Sequence, residues 1–535
     1  NGLPPKPETV ISFLEDDRPT KLKRSEMIDA LIGSPDFVDH WSNKWADMLQ
    51  VNSKFLGKEG AQLFRDWIHN QVSENRPYDE FVYSILTASG SNKENPAASY
   101  YKILRNPEDL VENTTHLFLA TRFNCNKCHD HPFEKWNVDN YYQTAAFFSQ
   151  IGLKRDEDNA PEENIGGSAV ENAKPLYEVI SDLTEGTVTN IVTGEIADPA
   201  FPYPATLKPI KDDANMEHSS RREQLAAWIT AEDNQFFAKS YANRIWGYLT
   251  GTGIIEPIDD IRAGNPPTNP ELLNYLTDFF IDSGFDVRAL IKEICNSRTY
   301  QLSIETKPFN KDDEINYSHA KARRLPAEVI YDAVHAVTGS VPNIPGAKPG
   351  MRAAQLADAK LDTKSGFLAN LGRPTRESSC ECDRTNDVQL GAVMSLLSGP
   401  AIAEAVGDPR NAIAELVEQE PDDTQLIEKI YMRILNRPAT KTEVALVQNN
   451  WQLIEQDHES LLRQLAEMES DWVYKKSVLE TERFKNITYT QADIDDYASE
   501  YRKKQTVAKN QRRKNIIFTE AALKQFETKV LPEKI

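Results

Sequence analysis

Apolar residues recur at helical spacing along most of this chain. Phe37, Trp41, Trp45 and Leu49 share one face over residues 35–50. Leu63, Trp67 and Val72 do so over 60–75, and Phe81, Ile85 and Leu86 over 78–87. Pro107 suits the first turn of a helix. Leu110, Val111, Thr114, Leu117 and Phe118 then line one face of a helix that runs into Cys125. Another helix is expected over 139–150, where Tyr141, Tyr142, Phe147 and Phe148 cluster.

The pattern then changes. Residues 154–174 are polar and contain Gly166-Gly167, which reads as a loop. Residues 176–197 are β-branched and alternate, which predicts a small hairpin turning at Thr193-Gly194. A Pro-rich stretch over 202–209 ends this region. Helical spacing returns over 221–230, 236–250, 271–283, 287–296 and 327–338. A long Gly- and Pro-rich loop over 338–379 precedes helices at 388–397 and 423–435. From residue 440 the chain is highly charged with long amphipathic stretches, which predicts an extended helical hairpin.

The expected fold is therefore mainly α, a multi-helical two-module architecture. A helical module (1–150) is followed by a loop and small β insertion (151–215), a second helical module (216–440) and a long helical C-terminal segment (441–535). With 40% hydrophobic and 27% charged residues in 535, the chain has the composition of a folded, multi-domain protein. Its formal net charge of -21 argues against a nucleic-acid partner, which needs a basic surface. No apolar run reaches the roughly 18 residues of a membrane span. The first residue is Asn and the last ten are still charged and helix-like, so a fragment of a longer protein is expected.

Chemistry concentrates in the cysteines. Four of the five lie in two tight pairs, Cys125/Cys128 and Cys380/Cys382; Cys295 stands alone in an apolar helix and reads as a core thiol. Cys125-Asn126-Lys127-Cys128-His129 is a c-type haem attachment pattern. Two thiols add to the haem vinyl groups, and the next His supplies an axial nitrogen to the iron. Pro132, Phe133, Trp136, Tyr142 and Phe148 follow as candidate apolar walls, and His116, Met216 and Met394 are candidate distal ligands. Two cysteines and a His also suit zinc or iron on thiolates. Cys380 and Cys382, one residue apart, can hardly bridge each other without strain. They are placed to complete a thiolate site with Cys125 and Cys128, or to form two disulfides with them. His131, beside Asp130 and Glu134, either caps the turn or joins a second metal site with His129. Arg373, Arg376 and Arg384 are candidate partners for haem propionates; the alternative is surface pairing with Glu377, Glu381 and Asp383. An Asp259-Asp260 pair leaves open a hydrolase, and no particular enzyme activity is indicated.

The stretch Asn124-Cys-Asn-Lys-Cys-His-Asp-His-Pro-Phe-Glu-Lys-Trp-Asn, with Asp139-Asn-Tyr-Tyr and Ala145-Ala-Phe-Phe after it, resembles the second type of planctomycete cytochrome-c-like domain. Arg221-Arg-Glu-Gln-Leu-Ala-Ala-Trp, Ala242-Asn-Arg-Ile-Trp and Gly372-Arg-Pro-Thr-Arg-Glu-Ser-Ser-Cys-Glu-Cys-Asp-Arg resemble its companion, a planctomycete-specific domain of unknown function. The resemblance covers about residues 1–440. It implies an exported protein, periplasmic or at the cell surface, often with a further cytochrome domain upstream. It implies no established reaction. The leading expectation is electron transfer or redox chemistry at one haem c, with a redox partner protein or a further cytochrome domain. The alternative is a haem-free metal-binding or disulfide-stapled surface or assembly protein, with carbohydrate handling as one role open to it.

Overall fold

The structure is a computed structural model that describes residues 1–132, 134–166, 173–207, 219–380, 384 and 390–530. Helix accounts for 58% of the residues and strand for 4%, so the fold is mainly α, as the periodicity predicts.

Two short helices, α1 (Pro7–Glu15) and α2 (Thr20–Leu31), precede α3 (Pro35–Met48). Ser34 starts α3 by accepting a hydrogen bond from the Phe37 amide at 3.3 Å, with Pro35 in the first turn. Asn52 caps α4 (Ser53–Ser73), which bends at Gly57, where φ is +69°. Then come α5 (Tyr78–Leu86), α6 (Ser99–Ile103) and α7 (Pro107–Leu119). Asn106 caps α7, and Ala120 ends it in the left-handed region. A capping box between Asn137 and Asn140 starts α8 (Val138–Ala145).

The strands correct part of the expected hairpin. β1 (Gly90–Ser91), β2 (Ile151–Arg155) and β3 (Glu178–Asp182) form an antiparallel sheet in the order β1-β3-β2. In it Ile151 faces Asp182 and Arg155 faces Glu178. The strand over 178–182 thus pairs back across the polar stretch. Its buried Glu178 accepts two bonds from Arg105, at 2.7 and 2.8 Å, a partner 73 residues away. The turn at Thr193-Gly194 does connect a hairpin, β4 (Val188–Thr189) with β5 (Ile196–Ala197).

The second half adds α9 (Arg221–Ile229), α10 (Phe237–Thr250), α11 (Pro270–Asp282), α12 (Val287–Asn296) and α13 (Ala327–Thr338). Inside the long loop sit a 3-10 turn (Ala353–Gln355) and a short helix, α14 (Phe367–Asn370). α15 (Leu390–Ser398), α16 (Pro400–Gly407), α17 (Ala412–Gln419) and α18 (Asp423–Leu435) follow. The window Leu390–Gly407 has the length and apolarity of a membrane span, but Gly399-Pro400 divides it into two helices.

Residues Asn1–Pro438 form one compact unit and Ala439–Ile535 another. Within the first, a continuous aromatic core joins early and late helices. Trp45 of α3 stacks on Tyr241 of α10 at 6.0 Å, and Tyr78 of α5 stacks on Tyr241 at 3.9 Å and on Phe237 at 4.8 Å. A second, smaller cluster gathers Ala327, Tyr331, Leu356, Phe367 and Leu371. In the second unit α19 (Lys441–Gln525) is a single helix, not the expected hairpin. A Thr440–Glu443 capping box starts it, and no Gly or Pro interrupts the 85 residues.

The long loop is fastened by buried charge. Arg376 is fully buried and holds a left-handed φ of +58°, which is rare for a non-glycine residue. Its guanidinium donates to Asp47 Oδ1 at 2.8 Å, Asn43 Oδ1 at 2.8 Å and the Ala357 carbonyl at 2.9 Å. Arg384 donates to Asp47 Oδ2 at 2.6 Å and Glu328 Oε2 at 2.8 Å. Arg373 lies 3.5 Å from Glu328 Oε1. Burial alone would raise the Glu328 pKa, yet Arg384 and Arg373 hold it well below the ordinary 4.5. Burial pushes Arg373 down to about 10.

Removing one member of a buried pair strands the others, at a cost of about 3–5 kcal/mol. Glu328→Gln is therefore expected to lower the urea unfolding free energy by that amount at neutral pH. The folded-state pKa of Glu328 is depressed, so its contribution is complete above the unfolded value and fades as pH falls below 4.5. Wild type and variant should converge in stability on acidification. A constant gap from pH 7 into the acid range would contradict the assignment.

Candidate functional site

The Cys-x-x-Cys-His motif is an exposed turn braced from beneath. Helix α7 delivers the chain to it, and a short 3-10 turn spans Asn124–Lys127. The Asn126 side chain is buried and donates to the Trp136 carbonyl at 2.7 Å. The Tyr142 hydroxyl donates to the Lys127 carbonyl at 3.0 Å, tying the turn to α8. Tyr141 donates to Glu112 of α7 at 2.7 Å, which joins the two flanking helices. Asp130 accepts from the Val138 amide at 2.9 Å, and the His131 amide donates to the Trp136 carbonyl at 2.9 Å.

On this base Cys125 and Cys128 are free, exposed thiols. His129 is exposed, with Nδ1 2.8 Å from the Asp130 carbonyl oxygen. A carbonyl only accepts, so Nδ1 carries a proton and donates. In the neutral ring Nε2 is then the nitrogen with the lone pair, an arrangement typical of an imidazole that ligates a metal. Among the described residues no group of three or more His, Cys, Asp and Glu is placed to hold a metal ion.

Several sequence assignments fall elsewhere. Cys380 is disulfide-bonded, while Cys125, Cys128 and Cys295 are free. Cys380 thus offers no thiolate, and neither the shared four-thiolate site nor the double disulfide with Cys125 and Cys128 is formed. Cys382 and Met216 lie outside the described residues. Arg376 pairs with Asp47, and Arg384 with Asp47 and Glu328. Glu377 pairs with Lys54 at 2.6 Å instead. Trp136, Tyr142 and Phe148 are buried in the core, so they serve as foundation and not as open walls. Pro132 is exposed, and Phe133 lies outside the described residues. Met394 is exposed on α15.

Residues 1–152 match PSCyt2, a protein of unknown function (DUF1549), and residues 221–451 match PSD1, a protein of unknown function (DUF1553). The chain joins a PSCyt2 domain to a PSD1 domain. This is the order implied by the stretches around the motif and those in the second half. No curated protein and no solved structure matches the chain.

The PSD1 domain reaches to the edge of the motif. Its Ile261 amide donates to the carbonyl of Ala120, the residue that ends α7, at 2.8 Å. Its buried Asp259 pairs with Arg122 of the PSCyt2 domain at 2.6 Å and lies 3.0 Å from His116 Nε2. Burial would raise the Asp259 pKa, but His116, Arg244 and Arg122 hold it far below the usual carboxylate value. Asp259 is thus an anchoring anion between the domains, and Asp260 sits 3.3 Å from Arg262. This interdomain anchor was missed in the sequence, where Asp259 and His116 are 143 positions apart and carry no shared motif. A cleft of about 950 Å³ opens beside it, lined among others by His40, Trp41, Arg122, Tyr248, Asp259 and Arg323. Burial and the nearby Lys44 keep the His40 pKa well below 6.5.

In the bare polypeptide, without denaturant or reductant, a maleimide should modify Cys125 and Cys128 and spare Cys295 and Cys380. Cys295 is buried and its thiol is pushed up to about 11, which leaves little thiolate at neutral pH. Peptide mapping reads the result. Labelling of Cys380 before reduction would contradict the disulfide.

Proposed function

We propose that the PSCyt2 domain carries one covalently bound haem c and that the protein is an exported electron-transfer protein. The supporting observation is the pairing of two free, exposed thiols with a histidine whose Nδ1 is held by a backbone carbonyl. Cys125 and Cys128 would hold the group through two thioethers, each formed by adding S–H across a vinyl, which needs no oxidant. His129 would ligate the iron through Nε2. When bound, the haem supplies one-electron chemistry. The chain's own part is to hold the turn still: Tyr142 and Asp130 fasten it to α8, Asn126 fastens it to the Trp136 carbonyl, and buried aromatics lie under it. An exposed turn suits exchange of electrons with a docked redox protein or a further cytochrome domain.

The disulfide at Cys380 supports a second reading, a haem-free, disulfide-stapled exported surface protein. Both readings place maturation outside the cytoplasm, where disulfides persist and this attachment chemistry occurs. The separating experiment uses protein expressed with export and haem maturation. A pyridine haemochrome band surviving denaturation is expected, with an intact mass raised by one haem. Cys128→Ser should leave at most a single thioether and shift that band, and His129→Ala should change the Soret band of the native protein. A polypeptide of bare mass with no Soret absorption would overturn the haem reading in favour of the second.

A further inference from the structure

We propose that α19 pairs antiparallel with α19 of a second copy of this chain. At 1.5 Å per residue its 85 residues span about 130 Å, and none of them is buried. Helices in water owe most of their stability to burying an apolar face, so a helix this long with a bare apolar stripe calls for a partner. The stripe has coiled-coil spacing: Ile454, Leu461, Leu465, Met468, Trp472 and Leu479 follow in steps of three, four or seven. After one extra residue the seven, three and four steps resume at Ile487, Ile494, Tyr497 and Tyr501. Each of these side chains is at least half exposed.

Charge along the helix selects the partner. Residues 455–471 carry six carboxylates and one arginine, whereas residues 502–514 carry seven Lys or Arg and no carboxylate. A parallel, in-register pair sets each block against itself. A two-fold axis near Lys485 instead lays 455–471 of one copy along 499–515 of the other, which contains the basic block. Both ends of the pair are then complementary at once, as an isologous interface requires. Over 469–501 the stripe then faces its own counterpart in the second copy, while the flanking acidic and basic blocks face each other.

The test uses the whole chain. At micromolar concentration and low salt, light scattering should give about twice the 60.6 kDa of one chain. Ordinary and 15N-labelled chains are mixed at high salt, dialysed to low salt and treated with a zero-length carbodiimide. Links between carboxylates of 455–471 and Lys503, Lys504, Lys509 or Lys514 should join chains of unlike isotope. The double variant Lys503→Glu with Lys504→Glu should weaken the dimer about tenfold or more, roughly 1.4 kcal/mol. Its far-UV helicity at high protein concentration should be unchanged. Links confined to one chain at monomer mass would mean that the helix folds back on itself, and would overturn the proposal. So would a monomer without links, a dimer lacking acidic-to-basic links, or a variant that dimerises like wild type.

Discussion

Two carboxylates, half-buried Asp47 and buried Glu328, stand among buried Arg373 and Arg376 and half-buried Arg384, and this exchange fastens the loop to the first unit. Asp47 lies on α3 and Glu328 on α13, 281 residues apart in sequence, so the loop carrying Arg373, Arg376 and Arg384 can settle only when both helices are in place. The interior penalises any uncompensated member of the set heavily. Arg376 holds a left-handed backbone where its guanidinium reaches Asp47 and Asn43. Asn43 holds Arg376 while donating to Glu328 at 3.3 Å, which closes the set into a network rather than two separate pairs.

Most helices were legible because their signals are local. Ser34 before Pro35, Asn106 before Pro107 and the Ser220–Glu223 box announce helix starts within four residues. What escaped depended on distance. β3 pairs with β2 across an intervening loop, and nothing in residues 178–182 names that partner. The arginines of the long loop looked like ligand-binding residues because no sequence pattern joins them to Asp47. The terminal hairpin was expected from amphipathic composition, but continuity of a helix is decided by breakers, and none is present.

The motif itself was fully visible, whereas the role of its neighbours was not. Aromatics after a Cys-x-x-Cys-His look like cofactor walls in one dimension. In space Trp136 and Tyr142 face inward and support the turn from behind. The site is consequently a shallow platform: its thiols and imidazole are exposed, and buried side chains support the turn from behind.

The bond from Ile261 to the Ala120 carbonyl has a further meaning. The last turn before the motif is finished by a residue of the other domain, and Trp45, Tyr78 and Tyr241 share one ring stack across the same boundary. The two family labels thus divide something that folds as a single object. A genetic event that moved either half into another protein would expose a wet aromatic face on both sides and leave α7 without its terminal clasp. Such halves are not interchangeable parts; they constitute one heritable piece.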